Sequence, residues 1–168
     1  ALSISATTRE PRIGEREGRH YFFVSPTTFD QLVANEELLE WAWVHGTQRY
    51  GTPQAPVEDL LDHGVNVILE IDIQGARGAK RKIPQAIVVF VGPPSFEVLE
   101  QRLAGRGTED AREQKRRLRT ARQELKTAER WDAYVTNHDV AKAGQSIVDL
   151  ARASREAKIS RSDHVVQP

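Results

Sequence analysis

Val65-Asn66-Val67-Ile68-Leu69-Glu70-Ile71-Asp72-Ile73 sets Val65, Val67, Leu69, Ile71 and Ile73 on one face of an extended segment and turns Glu70 and Asp72 to the other. Successive side chains of a strand point to opposite faces, so this alternation predicts a strand. A helix is expected just before it, from about Gln54 to His63, with Val57, Leu60 and Leu61 as its apolar stripe and Gly64 as its stop. A helix feeding a strand that ends in two carboxylates is the building unit of an open α/β sheet, where ligands sit outside the carboxyl ends of the strands. Ala86 to Val91 adds a near-continuous apolar run, the pattern of a parallel strand buried on both faces.

Towards the carboxyl terminus, Pro93-Pro94-Ser95 ends that strand and caps a helix carrying Phe96, Leu99 and Leu103. Gly105-Arg106-Gly107-Thr108 interrupts it as a hinge or tight turn, and Thr108 can cap a long charged helix with Leu118, Ala121 and Leu125 on its inner stripe. Tyr134 to Asn137 reads as a last short strand, with Ile147 and Leu150 anchoring a terminal helix and residues 156–168 as a frayed tail. Towards the amino terminus, Ser3-Ile4-Ser5 and Tyr21 to Val24 read as short strands. Ser25-Pro26 then starts a helix, with Ser at the cap, Pro at the first helical position, and Phe29, Leu32 and Val33 facing inward.

The 168 residues are one domain's worth, with 39% hydrophobic and 29% charged, an ordinary globular composition. Basic and acidic residues balance at 24 each, so no global field draws the chain to nucleic acid or membrane, and any phosphate affinity is local. Cys is absent, which excludes disulfides and thiolate metal sites and fits a cytoplasmic location. No apolar run approaches a membrane span or a signal-peptide core, so neither insertion nor export is expected. Oligomeric state is not legible.

Local phosphate affinity has a candidate in Ser5-Ala6-Thr7-Thr8-Arg9-Glu10-Pro11-Arg12. Two guanidinium forks three residues apart follow a run of hydroxyls, and Pro11 keeps the backbone out of a helix so that both forks can reach one dianion. Arg-x-x-Arg pairs are also frequent on ordinary surfaces. Tyr21, Glu40-Trp41-Ala42, Tyr50-Gly51-Thr52 and the acidic strand Ile68 to Gly75 follow in order, then Arg102-Leu103-Ala104-Gly105-Arg106-Gly107-Thr108-Glu109 and Val135-Thr136-Asn137.

From Ala1 to about Leu150 this succession strongly resembles the guanylate kinase family. The resemblance implies an α/β fold: a parallel-sheet core of the P-loop nucleoside monophosphate kinase kind, a small mixed β lobe for GMP, and a helical lid. It divides the chain into a GMP lobe at 1–53, core at 54–94, lid at 95–127, further core at 128–155 and the tail. It implies ATP-dependent phosphorylation of GMP to GDP, with Mg2+ accompanying ATP. Ser5, Arg9, Arg12, Tyr21, Glu40, Tyr50, Thr52 and Asp72 match the GMP site, and Arg102, Arg106 and Arg117 the lid arginines that neutralise the transferring phosphoryl group. Arg106 and Asn137 fall on the ATP side, and Glu70 corresponds to an acidic residue that holds a magnesium-bound water.

Glu40 would choose the base. One carboxylate can accept two hydrogen bonds from a base edge with adjacent donors, which guanine offers in N1–H and its exocyclic amine and adenine does not. An ordinary solvated carboxylate at a helix end is the alternative for Glu40, ordinary surface packing for Arg9, Arg12, Tyr21 and Tyr50, and a solvated basic helix face for Arg117 beside Arg116. One departure from the family is large: no Gly-x-x-x-x-Gly-Lys-Ser/Thr string occurs in these residues, and the first core strand and phosphate loop that precede the family's equivalent of Ala1 have no counterpart. The expected consequence is an open slot between the strands at Val67 and Val88, poor folding without something to fill it, and an ATP cradle absent as written. The alternative function is therefore a GMP- or phosphopeptide-binding module without catalysis.

Overall fold

The computed structural model describes residues 1–44, 47–104 and 111–162. The chain divides into two compact units, Ala1–Ala86 and Ile87–Pro168. Both mix helices with strands.

The first unit is built on a four-stranded mixed sheet. Strand β1 (Ala6–Thr7) runs parallel to β2 (Phe22–Phe23) and antiparallel to β4 (Gln48–Pro53), which in turn pairs antiparallel with β3 (Leu38–Val44). Between β2 and β3 lies α1 (Pro26–Ala34), which starts as the sequence predicts: Ser25 Oγ accepts from Thr28 N at 3.0 Å, and proline holds the first helical position. Phe29 from α1 is fully buried against Ala6 and Leu38, with Phe22, Val24, Leu32 and Val33 around them. Full burial of a side chain like Phe29 stabilises the unit by about 1.5–3 kcal/mol.

Arg49, buried at 9% exposure, clamps α1 to the sheet. Its guanidinium lies 4.7 Å from the Phe29 ring centroid and 5.3 Å from that of Trp43, donates to Pro26 O at 2.8 Å, and pairs with Asp30. Delocalised charge and a planar fork suit Arg to such a stacked, partly dry place.

Helix α2 (Gln54–Asp62) buries Val57 and half-buries Leu60, while Leu61 is 45% exposed and so lies outside the stripe expected of it. Gly64, at φ +72°, supplies the left-handed turn after the helix. The strand expected over Val65 to Ile73 is corrected by the structure. Ile68 makes a single parallel bridge, to Leu2, and Ile73 already opens helix α3 (Ile73–Lys82). Among the described residues of this unit nothing continues the ladder at Ile68, and Leu2 and Ile68 remain 60% and 48% exposed. Alternation supplies a strand's faces but not its partners, and Asp72, with extended backbone, is the cap of α3 instead.

Helix α3 was not expected from the sequence. It packs on β3 through Gly75, Ala76 and Ala79, and its basic last turn is tied down at both sides: Lys82 Nζ donates to Leu38 O at 2.8 Å and Lys80 Nζ to Ala86 O at 2.6 Å.

The second unit pairs β5 (Val89–Gly92) in parallel with β6 (Ala133–Thr136). Phe90 stacks on Tyr134 with ring centroids 5.6 Å apart. Val91 is 46% exposed, so β5 is not the strand buried on both faces that its composition suggests. With one strand partner among the described residues of the unit, much of its apolar side is uncovered. Helices α4 (Phe96–Ala104) and α5 (Ala111–Leu125) pack together, and Leu118, Ala121 and Leu125 are half-buried as the stripe predicts. The final helix α6 (Val140–Ser162) continues into residues 156–162, which the sequence reads as tail. The hinge at Gly105 to Thr108, with Arg106 and the Thr108 cap, lies outside the described residues.

Candidate active site

A β-bulge aims the key carboxylate. Leu38 pairs with Pro53 and Glu40 with Thr52, which leaves Leu39 as the extra residue of β3. Beyond the bulge the strand alternates cleanly: Glu40 and Ala42 are buried, while Trp41 and Trp43 are 41% and 49% exposed. Bulges recur next to active sites because one inserted residue re-aims the side chains that follow. Here the result is a carboxylate at 6% exposure beneath α3.

Glu40 Oε1 accepts the hydroxyl of Thr52 at 2.6 Å, and Thr52 itself is fully buried. Burial pushes the Glu40 carboxyl above its usual range and the Asp72 charge adds to this, while the Thr52 hydrogen bond opposes it. Asp72 caps α3, its Oδ1 accepting from Gly75 N at 2.8 Å and its Oδ2 from Gln74 Nε2 at 3.3 Å. The first turn of α3 therefore hangs over the Glu40 carboxylate with its positive end nearby.

A second cluster lies two residues back along β4. Tyr50 and Thr52 share a face, so their side chains stand about 7 Å apart. Arg9 Nε donates to Tyr50 Oη at 3.0 Å, and its guanidinium carbon lies 5.3 Å from the ring centroid of Tyr21. Tyr21 and Tyr50 meet edge to face, with burial and the Tyr50 charge raising the Tyr21 phenol above its usual value. Arg9 also makes a bidentate pair with Glu15, two bonds of 2.9 Å, and donates to Glu10 O at 2.7 Å.

Glu15 was not singled out in the sequence. It also accepts from Arg12 N at 2.6 Å, and the Arg9 fork followed by the Arg12 amide lowers its carboxyl to about 2. The pairing reaches six residues across an irregular loop, which no periodicity reveals. An acidic residue close behind two arginines was the one available signal.

Of the other candidates in this unit, Ser5 precedes β1, is half-buried, and accepts from Phe22 N through its carbonyl at 2.9 Å. The Arg12 side chain is exposed. Glu70 is exposed, with its charge felt at Tyr21. Among the described residues no group of three or more His, Cys, Asp or Glu is placed to hold a metal ion. A lone exposed carboxylate fits a cation that keeps most of its own water.

In the second unit, Arg102 lies in the last turn of α4, with Nη2 3.5 Å from His138 O, and Arg117 is half-buried in α5. Asn137 follows β6, its amide donating to Gly92 O at 2.7 Å while its buried Oδ1 has no hydrogen-bond partner. An acceptor left in that condition suits an incoming amine.

The family model for guanylate kinase matches residues 1–154. This chain belongs to the guanylate kinase family. It is 53% identical over 149 residues to the guanylate kinase of Leifsonia xyli, a match covering 89% of this chain and 59% of that one. To the guanylate kinase of Cutibacterium acnes it is 50% identical over 149 residues, covering 89% and 75%. The crystal structure of guanylate kinase from Anaplasma phagocytophilum shares its α/β fold, with a TM-score of 0.78 at 34% identity, over 91% of this chain and 74% of that one. The chain thus spans less than two thirds of the Leifsonia guanylate kinase and about three quarters of the other two.

Proposed function

We propose that the chain carries the GMP-binding and phosphoryl-neutralising residues of a cytoplasmic guanylate kinase, an enzyme that moves the γ-phosphoryl group of ATP to GMP. One observation supports this reading above the rest: a buried carboxylate, Glu40, held by Thr52, while Tyr50, two residues back on the same face of β4, gathers Arg9 and Tyr21 around it. A carboxylate and a cation carried along one face of one strand suit the two ends of a nucleoside monophosphate. Glu40 accepts from guanine N1–H and the exocyclic amine, with Thr52 and Ser5 as hydroxyl partners and Asp72 as second acceptor. Arg9, Arg12, Tyr21 and Tyr50 hold the phosphate.

In the transfer, an oxygen of the GMP phosphate attacks the γ-phosphorus of ATP in line, the bond to the β,γ-bridging oxygen breaks, and ADP leaves. Little covalent chemistry falls to the protein, so charge neutralisation dominates, and one well-placed arginine is worth roughly 10³ to 10⁵ in rate. Arg102, Arg106 and Arg117 take that part, and Asn137 accepts from the adenine amine. Mg2+ bound with ATP would supply further neutralisation, and Glu70 would hold one of its waters.

Calorimetry with GMP and AMP tests the base site on the chain itself, with GMP expected to bind and AMP not. Turnover is tested by a coupled ADP-release assay on a chain in which a family strand, Gly-rich loop and helix precede Ala1. Melting temperature and GMP-dependent ADP release should rise together. A well-folded protein that binds both nucleotides without turnover above background would refute the kinase reading.

A further inference from the structure

Helix α3 passes so close to β3 that there is no room for a side chain where the two meet Glu40. A Cβ placed on Gly75 would stand 2.5 Å from Glu40 Oε2, 3.1 Å from its carboxyl carbon and 3.1 Å from Ile71 Cβ. A Cβ on Gly78 would stand 3.0 Å from Glu40 Cβ. The two glycines therefore face different parts of one side chain, Gly75 the carboxylate and Gly78 its stem. Glycine inside a helix is less favourable than alanine, so its presence twice in α3 needs a reason. Gly144, in α6, shows the contrast, since a Cβ there meets nothing within 4 Å.

We infer that Gly75 is a specificity-positioning residue: its missing side chain is the space that lets the Glu40 carboxylate sit under α3 with Oε1 on Thr52 and Oε2 against Gly75, the orientation in which it accepts from the base. A methyl at 75 displaces Oε2, and because the carboxylate is rigid, Oε1 moves with it off the 2.6 Å bond to Thr52. Guanine uses both oxygens through two donors, whereas hypoxanthine has N1–H alone. The loss therefore falls hardest on guanine. Gly78 presses only on the Cβ, which can give by a few tenths of an ångström, so its effect is smaller and leaves base preference in place.

This inference rests on the assignment of Glu40 as base reader, and the experiment separates the two. GMP and IMP are titrated calorimetrically into the parent chain, Gly75→Ala, Gly78→Ala, Glu40→Gln and Gly144→Ala, each with its melting temperature measured by circular dichroism. Gly75→Ala should weaken GMP by about tenfold or more, the loss expected of a charge-assisted hydrogen bond, and shrink the GMP:IMP preference. Gly78→Ala should hold the preference, and Gly144→Ala should leave both ligands unchanged with melting temperature level or higher.

A Gly75→Ala chain that keeps the parent GMP:IMP ratio overturns the inference. If Glu40→Gln also keeps that ratio, the base-reader assignment falls with it; if Glu40→Gln loses the ratio, only the role of Gly75 falls. Should Gly75→Ala melt early, the pair Gly75→Ala with Glu40→Asp decides. The shorter carboxylate clears the methyl, so the double variant should melt above Gly75→Ala alone, and a double variant no more stable refutes the contact.

Discussion

Replacing Glu40 by Gln should move stability and binding in opposite directions. Oε1 of Gln can keep the 2.6 Å bond from Thr52, so the fold loses little. What disappears is a carboxyl at 6% exposure whose charged form is disfavoured by burial and by the nearby Asp72 charge and favoured by hydrogen bonds from Thr52. Removing a poorly compensated buried charge is neutral or stabilising, here by roughly 0–2 kcal/mol at pH 7. For guanine, the amide presents a donor where the base presents another. Loss of one charge-assisted bond is worth about 1.5–3 kcal/mol, or roughly 10- to 150-fold in GMP affinity.

The pH dependence supplies an independent sign. Because burial raises the folded Glu40 carboxyl above its ordinary value, the native state holds its proton to higher pH than the unfolded chain does. Between those values the native state binds more protons, so stability falls as pH rises through the folded pKa. Gln at 40 should remove that slope. Urea unfolding followed by tryptophan fluorescence across pH 4 to 8, beside GMP calorimetry, measures both effects. A Gln variant that binds GMP within twofold of the parent, or that is less stable than the parent by more than about 2 kcal/mol, refutes the reasoning.

Arg9→Lys should weaken GMP far more than guanosine, since a point charge cannot hold Tyr50 and a bidentate Glu15 while meeting a phosphate; equal losses for both ligands in calorimetry would remove Arg9 from the phosphate site. Arg106→Ala, placed in a chain that carries the ATP loop, should lower kcat by orders of magnitude at nearly constant GMP affinity, the signature of an interaction made in the transition state. Steady-state kinetics showing normal kcat and poor GMP binding would move Arg106 to the ground-state site.

Local signals in the sequence were strong where local physics decides. Ser25-Pro26 fixed the start of α1 and Gly64 the end of α2, because caps and left-handed turns depend on a few adjacent residues. Ser5 to Arg12, Glu40 and Tyr50 to Thr52 were legible as candidates through their resemblance to the family's motifs, and the structure brings Arg9 to Tyr50 and Tyr21 and Glu40 to Thr52. Val65 to Ile73 misled, since alternation reports two faces and says nothing about the strands needed on either side. Helix α3 was hidden by its own purpose: Gly75 and Gly78 lower helix propensity at the positions where close approach to β3 requires them. Glu15 was invisible because its partner lies across an irregular loop.

Three locally unfavourable choices converge on one side chain. A bulge interrupts β3, a carboxylate is buried with hydrogen bonds from Thr52 to favour its charge, and glycines occupy the helix that covers it. Each lowers stability, and a core built for stability alone would replace Glu40 with an apolar residue, close the bulge and put alanine at 75. Sequences that specify one fold agree across levels except where function demands otherwise. When backbone, charge and packing all depart from that agreement at the same carboxylate, the proposed role of Glu40 accounts for all three: an acceptor pair held rigid and dry until a base with two adjacent donors arrives. The phosphate cluster shows no such departures, since Arg9 is stacked, hydrogen-bonded and paired. On that reading, base selectivity rather than phosphate affinity is where this fold has given up stability, and Glu40→Gln should gain or keep stability as it loses selectivity, whereas Gly75→Ala, with its methyl 2.5 Å from Glu40 Oε2, should lose both.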